Sequence, residues 1–269
     1  MTQKRLTVEP KITQSVMHRL CYHVLKMRSS ATPYTTTFYE HQSGGSASSA
    51  AVVVKVLLSI LPVRSVADVG CGVAPWAAEF IAQGVPDVWG IDGDYVDRSQ
   101  LRIPPDRFLA RDLSRPVNLG RAFDLAVCLE VGEHLANSRA RGLVADLTSL
   151  APCVAFSAAV PGQGGINHIN ERYLPYWIDL FEAQGFKAID AVRPQILGDP
   201  RVEYWYQQNM VLFVAPDHPL LEKGYAKPQT IIHPALYEKA RTSRTLRTVV
   251  RAFPGALARS IRHHFLKRD

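Results

Sequence analysis

The middle of the chain alternates short apolar runs with amphipathic stretches. The apolar runs predict buried β-strands at residues 65–69, 88–91, 107–110, 125–129, 153–158, 187–192 and 210–214. The amphipathic stretches between them predict helices at residues 76–83, 139–150 and 171–184. Strands that alternate with helices in this way are typical of α/β proteins, in which helices cover both faces of a mostly parallel sheet. The last two predicted strands follow each other without a helix.

The regions on either side of this core have a different character. Apolar residues recur at helical spacing from Ile12 to Met27, which predicts an amphipathic helix that covers the sheet or the active-site mouth. The small residues 43–49 predict a turn into a second helix, 50–61, which Pro62 ends. We therefore divide the chain into an N-terminal helical cap (1–62), a ligand-binding domain (63–216), a Pro-rich linker (217–236) and a basic amphipathic extension (237–269).

Charge is distributed unevenly along the 269 residues, of which 47% are hydrophobic, enough for one large core. Residues 237–269 carry nine Lys or Arg and two acids, a net +7, whereas residues 31–236 sum to −5. The extension could therefore bind an anionic membrane surface. Nucleic acid is a less favoured partner, because the core is acidic. Alternatively, the extension packs as a solvated helix on its own domain.

Cysteine usage and hydropathy indicate the compartment. The four cysteines, Cys21, Cys71, Cys128 and Cys153, lie far apart and form no C-x-x-C pair, which fits a reducing environment. No run of about 18 apolar residues occurs and the first ten residues are polar, so neither a spanning helix nor a secretory signal is predicted. We expect a cytoplasmic protein that the basic extension could hold at a membrane surface.

Two strand ends carry the residues of a nucleoside site. The first strand contains Asp68 and runs into Gly70-x-Gly72, a turn that brings bare backbone against a ligand because glycine has no Cβ. The second strand ends in Asp92, at the spacing at which doubly wound sheets place a carboxylate on a ribose diol. We therefore expect these residues to bind a nucleoside, and a Cβ at Gly70 to enter the space of that ligand.

The residues around these strand ends narrow the choice of nucleoside. Pro75 occupies the sixth position of the dinucleotide fingerprint G-x-G-x-x-G, and the turn contains neither a phosphate-loop motif nor a Lys or Arg. Four acids instead form a negative rim: Asp68, Asp92, Asp94 and Asp112. Such a rim favours a cationic ligand, and S-adenosylmethionine, with its sulfonium and ammonium groups, is one.

From residue 35 to 215 the chain resembles the class I S-adenosylmethionine-dependent methyltransferases. The resemblance is carried by Asp68-Val-Gly70-Cys-Gly72, Asp92-Gly93, Arg111-Asp112-Leu113 and the stretch from Phe123 to Leu135. It implies a Rossmann-like, doubly wound, mostly parallel seven-stranded sheet whose last strand is antiparallel. It also implies S-adenosyl-L-methionine as the cofactor of the domain 63–216, bound by Asp68, Gly70, Gly72, Asp92, Gly93, Asp112, Leu113 and Glu130. Ala74 replaces the family's usual third glycine.

More narrowly, the chain is similar to a bacterial group of these enzymes that is found among surface-glycan and natural-product genes. The similarity is carried by residues 42–49, 161–171 and 205–209. It implies a small-molecule or glycan acceptor. Because the substrates of this group are largely undefined, the similarity narrows the fold more than the reaction.

Two histidines are candidates for a catalytic base. Methyl transfer requires the acceptor atom in line with the departing sulfur, and a hydroxyl acceptor also benefits from a base that removes its proton. His134 follows the fourth predicted strand and His168 lies in a Gly-rich loop after the fifth, where ligands bind in parallel sheets. Imidazole accepts a proton near neutral pH. A structural hydrogen-bonding role is the alternative for His134.

A metal site is an alternative hypothesis for the same residues. Glu130, Glu133 and His134 face one way on a helical turn, and His168 could complete a two-His, two-Glu set of ligands. This arrangement resembles the small-RNA 3′-end 2′-O-methyltransferases, which use a divalent ion to bind the terminal hydroxyls. We favour a reaction without a metal, with Glu130 under the donor.

Aromatic and amide side chains precede the last predicted strand: Tyr204, Trp205, Tyr206 and Asn209. Rings can stack on a sugar or another polar ring and amides can bind its edge, although ordinary packing of this connection is the alternative. The sequence therefore favours an O-methyltransferase that acts on a saccharide or natural product. A metal-assisted RNA 2′-O-methyltransferase and a non-catalytic S-adenosylmethionine-binding protein are the alternatives.

Overall fold

Seven strands form one sheet, as the pattern of apolar runs predicts. Their bounds are β1 Ser65–Val69, β2 Asp87–Asp92, β3 Phe108–Ala110, β4 Leu125–Leu129, β5 Cys153–Ser157, β6 Lys187–Ile189 and β7 Val211–Val214. The α-helices are α1 Thr36–Ile60, α2 Pro75–Ala82, α3 Asn137–Leu150, α4 Leu174–Glu182, α5 Arg193–Ile196, α6 Tyr204–Asn209 and α7 Pro234–Thr242. This computed structural model describes residues 36–242, with side chains from 45 to 241.

Two predicted features therefore lie outside the described residues: the amphipathic helix at 12–27 and the extension beyond residue 242. Within the described range, no helix is both long enough and apolar enough to cross a bilayer.

The strand order, β3-β2-β1-β4-β5-β7-β6, places the first and fourth strands side by side. All strands run parallel except β7, which is antiparallel to both β5 and β6. The predicted doubly wound sheet with one antiparallel strand is thereby confirmed. Because the chain leaves β1 toward one edge and returns to β4 toward the other, the carboxyl ends of these two strands border a crevice, which is where such sheets bind ligands.

Apolar layers cover both faces of the sheet. On one face Val53 of α1 packs in the same buried cluster as Val66 of β1, whereas the next strand residue, Ala67, belongs to the cluster on the other face. That second cluster contains Phe181 of α4, whose ring stacks on Phe213 of β7 with centroids 3.7 Å apart. Successive strand residues face opposite sides, so a strand buried on both faces is apolar throughout.

The start of the domain differs from the prediction. Residues 43–49 belong to α1 and form no turn. The hydroxyl of Ser49 donates to Gly45 O at 2.8 Å, one helical turn earlier, which keeps a polar side chain inside the helix. Gly45 leaves room for the side chain of Glu203, since a Cβ at this position would lie 2.3 Å from Oε1 of Glu203.

The connection between the last two strands also differs from the prediction. The sixth strand ends at Ile189 because the next amide, Asp190 N–H, leaves the sheet and donates to Ala226 O at 2.9 Å. The helices α5 and α6 then fill the interval before β7, where no helix was predicted.

The segment 217–236 lies against the domain instead of extending away from it. Leu220 and Leu236 are each 4% exposed. The amide of His233 donates to Oε1 of Gln208 at 2.7 Å. This packing gives the start of α7 a fixed position, whereas the division of the whole chain into four parts stays a prediction.

Candidate active site

The glycine turn after β1 has one side against the protein and one side open. Gly70 (φ +80°) and Gly72 (φ +55°) both adopt the left-handed conformation that favours glycine. A Cβ at Gly70 would lie 2.3 Å from Cγ2 of Val131, whereas a Cβ at Gly72 would meet no atom within 4 Å. A side chain at Gly70 would therefore strike Val131, and a contact of Gly70 with the donor stays a prediction. Gly72 is the residue that presents bare backbone to open space.

Asp92 lies at the carboxyl end of β2, next to this turn. Its carboxylate accepts hydrogen bonds from Gly72 N–H at 2.7 Å and from Gly93 N–H at 2.6 Å, and the side chain is only 4% exposed. The hydroxyl of Tyr95 donates to the same carboxylate at 2.5 Å. The two predicted strand ends therefore meet, and Asp92 joins them directly.

The other predicted donor-binding acids lie in different surroundings. Asp68 is buried and accepts the amide of Ala77 at 3.2 Å, near the start of α2. Burial raises the pKa of Asp68 to about 7, so this carboxyl group is not a permanent charge on a rim. Asp112 is exposed, and hydrogen bonds from Ser114 lower its pKa. The adjacent Leu113 packs in the core.

Glu130 follows β4 in a left-handed conformation (φ +55°). Its carboxylate accepts Nε2 of Gln163 at 2.6 Å and Nδ2 of Asn209 at 3.2 Å. The same Nδ2 also donates to Oε1 of Gln163 at 2.9 Å, which closes a polar network of three side chains from three parts of the chain. Burial raises the pKa of Glu130. Asn209, predicted to bind the acceptor, is thus held against Glu130.

Three further polar side chains meet beside this network. His134 and His168 stack edge to face with ring centroids 4.8 Å apart. Glu133 is fully buried, and neither of its carboxylate oxygens accepts a hydrogen bond of good geometry from the described residues. One ligand atom from each of these three residues lies within 4.8 Å of the others. Glu130, the fourth predicted metal ligand, is instead engaged by amides.

The surroundings of the three side chains determine their protonation. Burial, reinforced by the charge of Glu130, raises the pKa of Glu133 well above its usual range. Burial and the adjacent His168 lower the pKa of His134 to about 4, so His134 is neutral at physiological pH. The surroundings of Glu133 and His134 therefore favour the uncharged form of each side chain.

His168 has an acidic partner. Its Nδ1 lies 3.2 Å from Oε1 of Glu171. The carboxylate of Glu171 is itself fixed by the backbone amides of Gly162 and Gly164, each at 2.8 Å. These bonds explain why α4 begins at Leu174 and not at the predicted residue 171: Glu171 belongs to the Gly-rich loop.

The predicted aromatic residues divide into a buried and a partly exposed group. Tyr206 is buried, its hydroxyl lies 3.1 Å from Oγ of Ser46, and its ring packs edge to face on Trp76. Burial raises the pKa of Tyr206 to about 12, and the residue serves the core, contrary to the expected contact with an acceptor. Tyr204 is half-buried and stacks on His233 with centroids 5.8 Å apart. Its neighbour Trp205 packs against the core.

Two residues of the site were missed by the sequence analysis. Gln163 bonds both Glu130 and Asn209, and its carbonyl oxygen accepts Nζ of Lys239 at 3.0 Å, which places α7 beside the Gly-rich loop. Tyr95 bonds Asp92. Gln163 lies in the segment 161–171 that carried the family similarity, whereas no pattern indicated Tyr95.

Comparison with solved structures identifies the class of fold. The chain is similar to the sugar N-methyltransferase KedS8 from a Streptoalloteichus species, with a TM-score of 0.51 and 16% identity over 70% of this chain and 98% of that one. It is also similar to magnesium protoporphyrin IX methyltransferase from Synechocystis with bound S-adenosylhomocysteine, with a TM-score of 0.49 and 16% identity over 75% and 97%. The chain has the fold of the class I S-adenosylmethionine-dependent methyltransferases.

Sequence comparison is less informative. The chain matches no known protein-family model and no curated protein.

Proposed function

We propose that the protein is an S-adenosylmethionine-dependent methyltransferase that methylates a hydroxyl group of a saccharide or natural-product small molecule. The observation that carries the proposal is the position of Asp92, a buried carboxylate at the carboxyl end of β2, bonded to the amide of Gly72. A ribose diol is the ligand that such a carboxylate accepts at this edge of a doubly wound sheet.

The residues around Asp92 fit the donor. Beside Gly72 the missing Cβ leaves open space, so a ligand can approach the backbone. Asp112 is ionised and exposed, and it pairs with Arg115 at 3.4 Å. When bound, S-adenosylmethionine supplies an electrophilic methyl group.

His168 is the residue we assign as the base for the acceptor hydroxyl. If Nδ1 carries the proton and donates it to Glu171, the lone pair of Nε2 is free to accept the hydroxyl proton. Glu171 then acts as a positioning residue, since its carboxylate is fixed by two loop amides and fixes the ring in turn. His134 is a weak base, because its pKa is about 4.

The acceptor side supports a polar ring as substrate. Tyr204 offers a half-buried aromatic face that is already stacked on His233. The same helix, α6, ends in Asn209, whose amide donates to Glu130. An aromatic face beside amides and a carboxylate suits a hydroxylated ring, which stacks through its apolar face and bonds through its edge.

A second candidate function is metal-assisted RNA 2′-O-methylation. The observation that favours it is the buried Glu133, whose carboxylate lacks a partner among the described residues. One ligand atom each from Glu133, His134 and His168 lies within 4.8 Å of the others. Two imidazoles and a carboxylate suit a divalent transition metal, which would neutralise the buried acid. The net charge of −5 over residues 31–236 argues against a polyanionic substrate.

Calorimetry tests the proposed binding of the methyl donor. Asp92→Ala should weaken binding of S-adenosylmethionine by about 1.5–3 kcal/mol, the range for hydrogen bonds to a charged group. Asp106→Ala is the matched control, since Asp106 is an exposed acid just before β3 and lies outside the predicted acidic rim. Equal affinities for both variants, with the Asp92 variant folded, would remove Asp92 from the donor site.

The proposed acceptor is tested by transfer of a labelled methyl group to saccharides, to hydroxylated natural products and to the 3′ end of RNA. His168→Gln and Glu171→Gln should each lower the rate of transfer to a hydroxyl by about 10²- to 10⁴-fold. Glu182→Gln, at an exposed ion pair, should not. A chelator should leave this activity intact; loss of activity together with one bound metal, absent in His134→Ala, would favour the second candidate.

A further inference from the structure

Tyr95 makes a contact that neither the fold nor the proposed reaction requires. It follows Asp92 by three residues, and its hydroxyl donates to Oδ1 of Asp92 at 2.5 Å. The side chain is nevertheless 63% exposed, so little apolar burial holds it there. The hydrogen bond to the carboxylate is one of the contacts that place this exposed ring beside Asp92.

Gly93 provides independent support for this contact. Its backbone is not in the left-handed region, so the conformation does not require glycine. A Cβ at this position would instead lie 2.1 Å from Cε1 of the Tyr95 ring. The missing side chain is what allows the ring to lie against the backbone beside Asp92.

The number of hydrogen bonds that Asp92 can accept makes Tyr95 important. A carboxylate has about four lone-pair positions. Gly72 and Gly93 fill two with backbone amides that the turn holds in place, and the hydroxyl of Tyr95 fills a third. A ribose diol that binds through both hydroxyls needs two positions, so it cannot bind fully while Tyr95 does.

We propose that Tyr95 is an intramolecular competitor of the donor: its phenol takes the place of one ribose hydroxyl on Asp92 and must leave before the nucleoside binds. The inference rests on the proposed function. It assigns to Tyr95 control of the association rate, because only molecules in which the ring has left Asp92 are competent to bind, and apparent affinity falls in proportion to that fraction.

The test measures binding kinetics of S-adenosylhomocysteine to the full chain by stopped-flow tryptophan fluorescence. Tyr95→Phe keeps the ring and removes the hydroxyl, so the association rate constant should rise by roughly 10- to 150-fold, the factor that corresponds to the loss of one hydrogen bond to a charged group. The dissociation rate constant should change by less than about twofold. Tyr237→Phe is the matched control, since Tyr237 has the same 63% exposure on α7.

The outcomes separate this inference from the proposed function. An unchanged association rate in Tyr95→Phe, or faster dissociation, would overturn the inference, because the phenol would then be neutral or would help to hold the ligand. If Asp92→Ala still weakens binding in that case, the proposed donor site stands. If the wild-type protein binds neither S-adenosylhomocysteine nor S-adenosylmethionine, both the proposed function and the inference are wrong.

Discussion

The two glycines of the turn after β1 provide a matched pair of substitutions that should destabilise the protein to different extents. In Gly70→Ala, a left-handed φ of +80° costs about 1–2 kcal/mol for a residue with a Cβ. The new methyl group would also lie 2.3 Å from Cγ2 of Val131, and overpacking of this kind costs about 1–3 kcal/mol. The free energy of unfolding should therefore fall by about 2–5 kcal/mol.

Gly72→Ala shares the backbone cost and lacks the clash. Its φ of +55° is also left-handed, but a Cβ there meets no atom within 4 Å. The free energy of unfolding should fall by only about 1–2 kcal/mol. The methyl group of this variant faces the open side of the turn. Its binding free energy for S-adenosylmethionine should therefore fall by more than its free energy of unfolding.

Urea unfolding measures the difference in stability between the two variants. Each substitution should shift the midpoint of the transition and leave the slope of free energy against urea concentration unchanged. A double-mutant cycle with Val131→Ala isolates the clash: the combination with Gly70→Ala should be more stable than the sum of the single effects predicts. The same cycle with Gly72→Ala should be additive. Equal destabilisation by the two glycine substitutions, or an additive cycle at Gly70, would refute the assignment of Gly70 to packing.

Three further predictions concern pH, the core and the extension. The Asp68 carboxyl group retains a proton up to about pH 7 when folded but loses it near pH 4 when unfolded. The free energy of unfolding, measured by urea at a series of pH values, should therefore fall as pH rises through this window. Asp68→Asn should reduce this pH dependence. Tyr206→Phe should lower the free energy of unfolding by about 1–3 kcal/mol, because it leaves the buried Ser46 hydroxyl without this partner, yet leave the KM for the acceptor unchanged. Truncation after Thr242 removes seven basic residues and one acid, so binding to anionic vesicles, measured by co-sedimentation, should be lost at unchanged donor affinity; a truncated chain that no longer binds the donor would contradict the tethering hypothesis.

The fold was predictable because its elements are encoded locally. A strand that is covered on both faces is a continuous apolar run, and seven such runs were recognisable without knowledge of their neighbours. The interval from β6 to β7 was not predictable in the same way. Strand β6 stops at Ile189 because the next amide, that of Asp190, donates to the carbonyl oxygen of Ala226. Ala226 lies 36 residues further along the chain, so no local pattern contains this partner.

The candidate site shows the same division between local and distant information. The glycine turn and Asp92 were identified from their sequence, because a strand followed by a turn of glycines is a local arrangement. Whether a side chain faces a ligand or the core depends on what other elements bring to it. The sequence predicts that Tyr206 contacts the acceptor, whereas in the structure it is buried because Trp76 and Ser46 lie against it.

By itself, the sequence determined the strands, their glycine turn and the acids that follow them, since backbone conformation and apolar periodicity depend on residues within one element. Only the tertiary structure decided the partners of the polar side chains. It joined Glu130 to Gln163 and Asn209, left the carboxylate of Glu133 beside two imidazoles, and set Tyr95 on Asp92. A hydrogen bond is specific at about 3 Å, and distances of that order between remote parts of a chain are fixed only when the whole sheet and its helices have packed.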